Sequence, residues 1–411
     1  MNHLTHSESA VRGRVARGRS VALIVGVVGL AISLTGVFGL FGDPKPAFQG
    51  YHFGFFYWLL LGLGCLGMSL LAHATRGQWT LPLIRIWESG ARTIPIVMLL
   101  YLPVLGLGLK HVYEWMHTEH VAHDPVLQTK SPFFFWPQDY TGIPVFFIVR
   151  FGFYAVVWAL MMNYLWKRSL EQDRAKDPLE GEVLSRQRSG PAAGMMVAFM
   201  LVFTLAMVDF GQSLMPHWFS TMYAVIMVAG GGFLALALAV YMVLSWRNLP
   251  PYADKITYMP YRRDWGNFLF TLTVFWSYVS FSQFLITYSG NLYEFTQFYL
   301  RRNTGGWQYL AYLIVLFHFF VPFFLFLAPR TKKIASQLLA GTVLVMAIRT
   351  VDIFWQIKPF FAESLAISVY DIAAFVGFGG LWFYFALGFL LQRALLPQNE
   401  TRLMEVAHGH S

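Results

Sequence analysis

Charge is scarce in this chain: 12% of its 411 residues are Asp, Glu, Lys or Arg, about half the share in an ordinary soluble domain. That scarcity argues against a soluble enzyme of two or three domains. Cysteine is scarcer still. Cys65 stands alone inside an apolar run, so the chain by itself builds no disulfide, Cys-ligated iron–sulfur cluster or thiolate zinc site. A redox centre that works with this chain is bound otherwise or belongs to a partner. Facing histidine pairs are missing too: His318 is the one histidine near the middle of an apolar run, whereas His52, His73 and His217 sit at run ends. Haem ligation by this chain is therefore not expected, and neither is any metal site.

Apolar residues make up 56% of the sequence, with 39 Phe, 14 Trp and 35 Gly. Lipid rewards apolar side chains and tolerates Gly where helices touch, so this is the composition of a polytopic membrane protein. A hydrocarbon core about 30 Å thick needs about 20 apolar residues per helix. The sequence offers ten such runs, near 20–41, 51–73, 90–110, 142–166, 191–210, 217–246, 266–287, 307–329, 333–353 and 365–393. Arg12, Arg14, Arg17 and Arg19 before the first run give it the look of a signal peptide. It has no clear small-residue cleavage site and reads as a retained span.

The net charge of +9 taken as one number would suggest nucleic acid; its distribution points elsewhere. With the N-terminus inside, 21 Lys/Arg fall in tails and connections on the inner side, six on the outer side, and three (Arg92, Arg150, Arg349) within spans. This asymmetry predicts a multi-pass protein of the bacterial cytoplasmic membrane with both termini cytoplasmic, and no nucleic-acid partner. The polar segment 167–190 reads as a solvated linker, with a docking surface as the lesser reading.

The chain repeats itself. VDFGQSLMPHW, ending at Trp218, aligns with VDIFWQIKPFF, ending at Phe361, so that Asp209 matches Asp352 and Pro216 matches Pro359. Tyr113-Glu114-Trp115 at the exit of span 3 matches Tyr293-Glu294-Phe295 at the exit of span 7. The expected fold is all-α: two tandem four-helix bundles in the same orientation, spans 2–5 (51–210) and spans 6–9 (211–364). Residues 1–50 add an inner tail and peripheral helix 1, and 365–411 add peripheral helix 10 and an inner tail. Same-orientation repeats differ from the inverted repeats of many transporters.

Ionisable groups inside lipid are costly and mark function by default. Arg150, Asp209, Arg349, Asp352 and Asp371 all fall in the outer half of their spans, and a shared cluster is expected there. Such a cluster is either a set of ion pairs pinning the bundles or a proton-access region. Arg349 and Asp352 are placed to pair at i, i+3, and Arg150 must find Asp209 or another acid on a neighbouring helix. Arg150, Tyr154 and Trp158 share one face of span 4, which could grip a quinone head group or simply pack. His318 serves either helix–helix hydrogen bonding or a proton relay. Thr273, Ser277, Ser280 and Thr287, with Gln283 beside them, form a hydroxyl stripe along span 7 that either orders water or permits close packing.

Three stretches together resemble the ActF-type membrane subunits of alternative complex III, within the NrfD-like, polysulfide-reductase membrane-subunit superfamily. They are VDFGQSLMPHWFSTMYAV (208–225), IVRFGFYAVVW (148–158) and SFSQFLITYSGNLYEFTQFYLRRNTGGWQYLAYLIVLFHFFVPFFLFL (280–327). The family pattern has an acid just before Pro216, where this chain has Met215. The resemblance implies an integral subunit of a quinol:electron-acceptor oxidoreductase that binds no redox cofactor itself, anchors its partners and conducts protons. Haem and iron–sulfur clusters would then reside on a multihaem cytochrome and an iron–sulfur protein, beside a related NrfD-like subunit that is the better quinol site, with a terminal oxidase as a further partner. A quinol-binding catalytic subunit and an autonomous secondary transporter are the competing readings.

Overall fold

A computed structural model describes residues 8–40, 42–255 and 259–403, which form helices joined by short connections, with no strand among them. Ten helices are long and apolar enough to cross a membrane: α1 Ser9–Val37, α2 Lys45–Thr75, α3 Ile84–Val112, α4 Val145–Asp173, α5 Pro178–Leu214, α6 Tyr223–Ser245, α7 Pro260–Gly290, α8 Trp307–Leu327, α9 Ala335–Phe360 and α10 Val369–Leu391. The ten expected spans each fall within one of these helices or overlap most of it. The chain is thus an all-α, multi-pass membrane protein.

Helix ends differ from the sequence expectation where polar sequence itself is helical. The segment 167–190 is not a solvated linker: α4 runs through Asp173 and α5 begins at Pro178. Asp177 caps α5 by accepting from Glu180 N at 2.8 Å, with Pro at the first helical position, where its missing N–H costs nothing. The helix then continues through Pro191. Asp-Pro-Leu-Glu is a helix start signal that the charge pattern hides.

Contacts close two circuits of four helices. In the first, α2 touches α3 and α5, and α4 touches α3 and α5; in the second, α6 touches α7 and α9, and α8 touches α7 and α9. α2 and α6, the first helix of each circuit, pack against each other and are the most buried spans. They meet at glycines, since a Cβ on Gly64 would strike the Gly231 carbonyl. α10 lies along α2 and α3 as well as α1, so it is less peripheral than α1, whose main neighbour is α10. That pair also meets through glycine. A Cβ on Gly26 would lie 2.7 Å from Leu381 N, and one on Gly29 2.6 Å from Gly377 N, so backbones touch where lipid provides no hydrophobic drive between helices.

Candidate functional site

The expected outer cluster resolves into three separate ion pairs, because each acid finds a nearer cation than its fellow acids offer. In the first circuit, Arg150 of α4 grips Asp209 at the end of α5 through two hydrogen bonds, Nε to Oδ2 at 2.9 Å and Nη2 to Oδ1 at 2.8 Å. Tyr154 donates to the same Oδ2 at 2.6 Å, and Arg150 Nη1 donates to the Phe133 carbonyl at 2.5 Å while its guanidinium lies over the Phe133 ring. Arg150 and Tyr154 therefore spend their polar groups on Asp209 and its surroundings. Trp158, on the same face, is buried with Nε1 unpartnered.

In the second circuit the acid aligned with Asp209 is held differently. Asp352 pairs with Arg349, one turn earlier on its own helix, and lies 3.5 Å from Gln356 Nε2. Arg349 is fully buried, and its Nε and Nη2 have no protein partner. Its guanidinium occupies the space over Gly230, so that glycine does more than let two helices approach. Thr350 Oγ1 beside it lies 3.1 Å from Tyr57 Oη of α2, which ties the two circuits together.

The third pair closes the N-terminal end of α10. Asp371 is the third residue of that helix and not, as the span limits implied, two turns inside it. Its Oδ2 accepts from Ser368 N at 2.9 Å in a capping box, and its Oδ1 accepts from Lys358 Nζ at 2.7 Å. Both oxygens are committed to holding the α9–α10 connection, which is a structural assignment.

His318 sits in a wide π-helical turn, Val315–Phe320, within α8, a local irregularity that recurs at functional sites. Its ring lies against Trp276 of α7, tilted by 38° with centroids 3.6 Å apart, and meets Phe233 of α6 edge-on. The residue is fully buried, and neither ring nitrogen has a protein partner. The α7 stripe faces inward beside it. Thr273 is buried and bonds its own Leu269 carbonyl, the Ser277 and Ser280 hydroxyls are buried without partners, and Gln283 accepts from Ser220 Oγ at 2.9 Å and reaches Thr287 at 3.3 Å.

Sequence reasoning missed a buried polar network at the opposite end. Glu88 of α3 accepts from His73 at 2.8 Å, Ser169 at 3.1 Å and Arg85 at 3.3 Å, and pairs with Arg393 beyond α10. Arg85 also pairs with Asp173, and Gln172 links Arg188 to Glu400. Burial lowers the Arg393 pKa to about 10, the neighbouring Arg85 acts in the same sense, and Glu88 opposes both. The pairing Arg85-x-x-Glu88 was legible, but both residues fall in what the hydropathy profile makes a surface connection.

His52 was also set aside as a span-end residue, yet it is fully buried, with Nε2 2.9 Å from the Phe210 carbonyl and Nδ1 2.7 Å from Tyr101 Oη. The carbonyl can only accept, so Nε2 carries the proton and Tyr101 donates to Nδ1. Tyr113 in turn lies 3.3 Å from Tyr101.

Comparison with models of protein families finds no match to this chain, and no curated protein matches it.

Proposed function

We propose that the chain is an integral membrane subunit of a quinol:electron-acceptor oxidoreductase of the alternative complex III kind, anchoring redox partners and conducting protons through its second circuit. The observation that carries the proton role is the run of buried polar atoms without protein partners along α7, α8 and α9: Ser277, Ser280, both nitrogens of His318, and Nε and Nη2 of Arg349. A buried polar group left unpaired costs about 1–3 kcal/mol. A row of them, inside a membrane where such cost is harder to relieve, is reasonable where water enters and protons move. The stretch 280–327, which bears the most specific resemblance, supplies Ser280 and His318 to this row.

The quinol-binding reading gains less, because Arg150 and Tyr154 are both engaged with Asp209. The transporter reading would be favoured by a matched pair of broken helices. α3 is segmented after Ala91 and again after Leu100, whereas α7, its counterpart in the repeat, is continuous. The proposal includes a cytoplasmic location for both termini in a bacterial inner membrane.

Purification from the native membrane in mild detergent tests the assembly role. Co-isolation with multihaem cytochrome and iron–sulfur subunits supports it; a stable lone chain overturns it. Asp352→Asn tests the proton role, with assembly retained and proton release per turnover reduced. Unchanged proton release at normal turnover would remove conduction and leave anchoring.

A further inference from the structure

On the membrane face that carries the termini, several buried or half-buried arginines have an acid, and buried Arg188 donates to Gln172. Arg12, Arg76, Arg85, Arg393 and Arg402 each pair with a carboxylate. Arg19 of α1 and Arg92 of α3 make no ion pair, and the Nε of each is buried without a partner. They are held by rings alone. The Arg19 guanidinium lies 4.4 Å from the Tyr384 ring centroid, and that of Arg92 lies 4.8 Å from Phe389 and 4.3 Å from Trp166.

The two arginines approach one turn of α10. A Cβ on Gly388 would lie 3.2 Å from Arg19 Nε, and Phe389, the next residue, carries Arg92. Against this turn lies an open groove of about 470 Å³ between α1, α3 and α10, walled by Ile96, Phe385, Phe389 and Leu391, with Arg19 and Gln392 as its polar members. The groove is apolar and the polar groups are cationic or neutral. Beyond Arg19, α1 presents Val21 and Ile24 outward as exposed apolar residues, so Arg19 stands where hydrocarbon gives way to head groups.

We propose that this groove is a binding site for one anionic phospholipid, its phosphate held by Arg19 and Arg92 and an acyl chain lying in the groove. Charge complementarity selects the head group: two half-buried guanidinium groups, each with its Nε unpartnered and no carboxylate among their partners, suit a phosphate. The apolar walls select a lipid over a free ion. Arg14 and Arg17, exposed on the preceding turns of α1, extend the positive field along the same leaflet. Glycine at 388 leaves Arg19 room beside α10, and a larger side chain would push into it.

The test uses the full chain in mild-detergent micelles, titrated with phosphatidylglycerol, phosphatidylcholine or inorganic phosphate, with melting temperature and native mass spectrometry as readouts. Phosphatidylglycerol is expected to stay bound and raise the melting temperature, while phosphatidylcholine and phosphate do neither. At about fivefold per basic residue near an anionic head group, Arg19→Gln with Arg92→Gln should weaken binding roughly 25-fold. Gly388→Leu keeps both charges, intrudes on the groove and should weaken it as well. Equal binding of phosphatidylcholine, an equal shift with inorganic phosphate, or wild-type affinity in the double variant or in Gly388→Leu would each overturn the site. If the double variant fails to fold, lipid preference of the native chain and Gly388→Leu decide.

Discussion

The Arg349 guanidinium lies against the bare Cα of Gly230, in the space that a side chain at 230 would fill. Gly230→Ala must therefore displace a fully buried cation from its place beside Asp352 and Tyr57. Overpacking of this kind costs about 1–3 kcal/mol, and disturbing the pair adds to it. Thermal unfolding in detergent should show a clear loss for Gly230→Ala and little for Gly232→Ala, where an added Cβ meets only Met68 Sδ at 3.8 Å. Equal melting temperatures for the two variants would show that Arg349 moves aside freely.

The same glycine shows what the sequence could and could not tell. Ten spans were legible because lipid enforces about 20 apolar residues per crossing, and a run such as Gly230-Gly231-Gly232 marks close helix packing. That Gly230 faces a cation while Gly231 faces α2 depends on helix rotation, which a run apolar on all sides does not encode. Arg349 with Asp352 was legible at i, i+3. Arg150 with Asp209 was named as one choice among acids, since its partner is 59 residues away. The Glu88 network stayed hidden because its members come from four distant stretches, and hydropathy gives their segments no reason to be buried.

Arg150 and Asp209 should behave as a unit. Removing one partner of a buried pair costs about 3–5 kcal/mol, whereas replacing both by apolar residues of similar volume is often nearly neutral. Arg150→Met and Asp209→Leu are each expected to destabilise strongly, with the double variant more stable than either. A double-mutant cycle on unfolding free energies measures the coupling. Additive losses would mean that the pair is not the main partner of either residue.

Glu88→Gln should be among the most damaging single changes on the terminal face. It leaves Arg85 and Arg393 buried beside a neutral amide, a loss of about 3–5 kcal/mol for breaking a buried pair. Glu182→Gln, which breaks the partly exposed Arg76–Glu182 pair, should cost about 1 kcal/mol or less. Proteolysis of the 394–403 segment, whose packing begins at Arg393, should follow the same order.

The connection between α3 and α4 carries a pH-sensitive tether. Partial burial pushes the Asp124 carboxyl up, but the hydrogen bond with His217 and the backbone N–H groups of Leu127 and Val126 together hold it below the ordinary carboxylate value. A depressed acid contributes stability above its unfolded value, about pH 3.9, and loses it as pH falls through the folded value. Near neutral pH, Asp124→Asn should raise amide exchange in 126–130 relative to wild type. As pH drops below about 4, the range in which the wild-type carboxyl protonates, the two proteins should converge. A constant difference across that range would place the tether elsewhere.

His318→Phe separates packing from proton transfer. If the imidazole only packs, phenylalanine keeps the tilted ring contact with Trp276 and the edge contact with Phe233 and removes two buried nitrogens that have no protein partner. Replacing an unsatisfied buried polar group by an apolar one of like shape is neutral or stabilising, so the melting temperature should hold or rise. Proton transfer makes the opposite demand, because phenylalanine can neither accept nor donate a proton. The proposed role therefore requires an equally or more stable protein whose assembly is intact and whose proton release per turnover falls. His318→Gln, polar but unable to relay a proton near neutral pH, should lose proton release as well. Full proton release in both variants would leave His318 as a packing residue and move the conduction path away from α8.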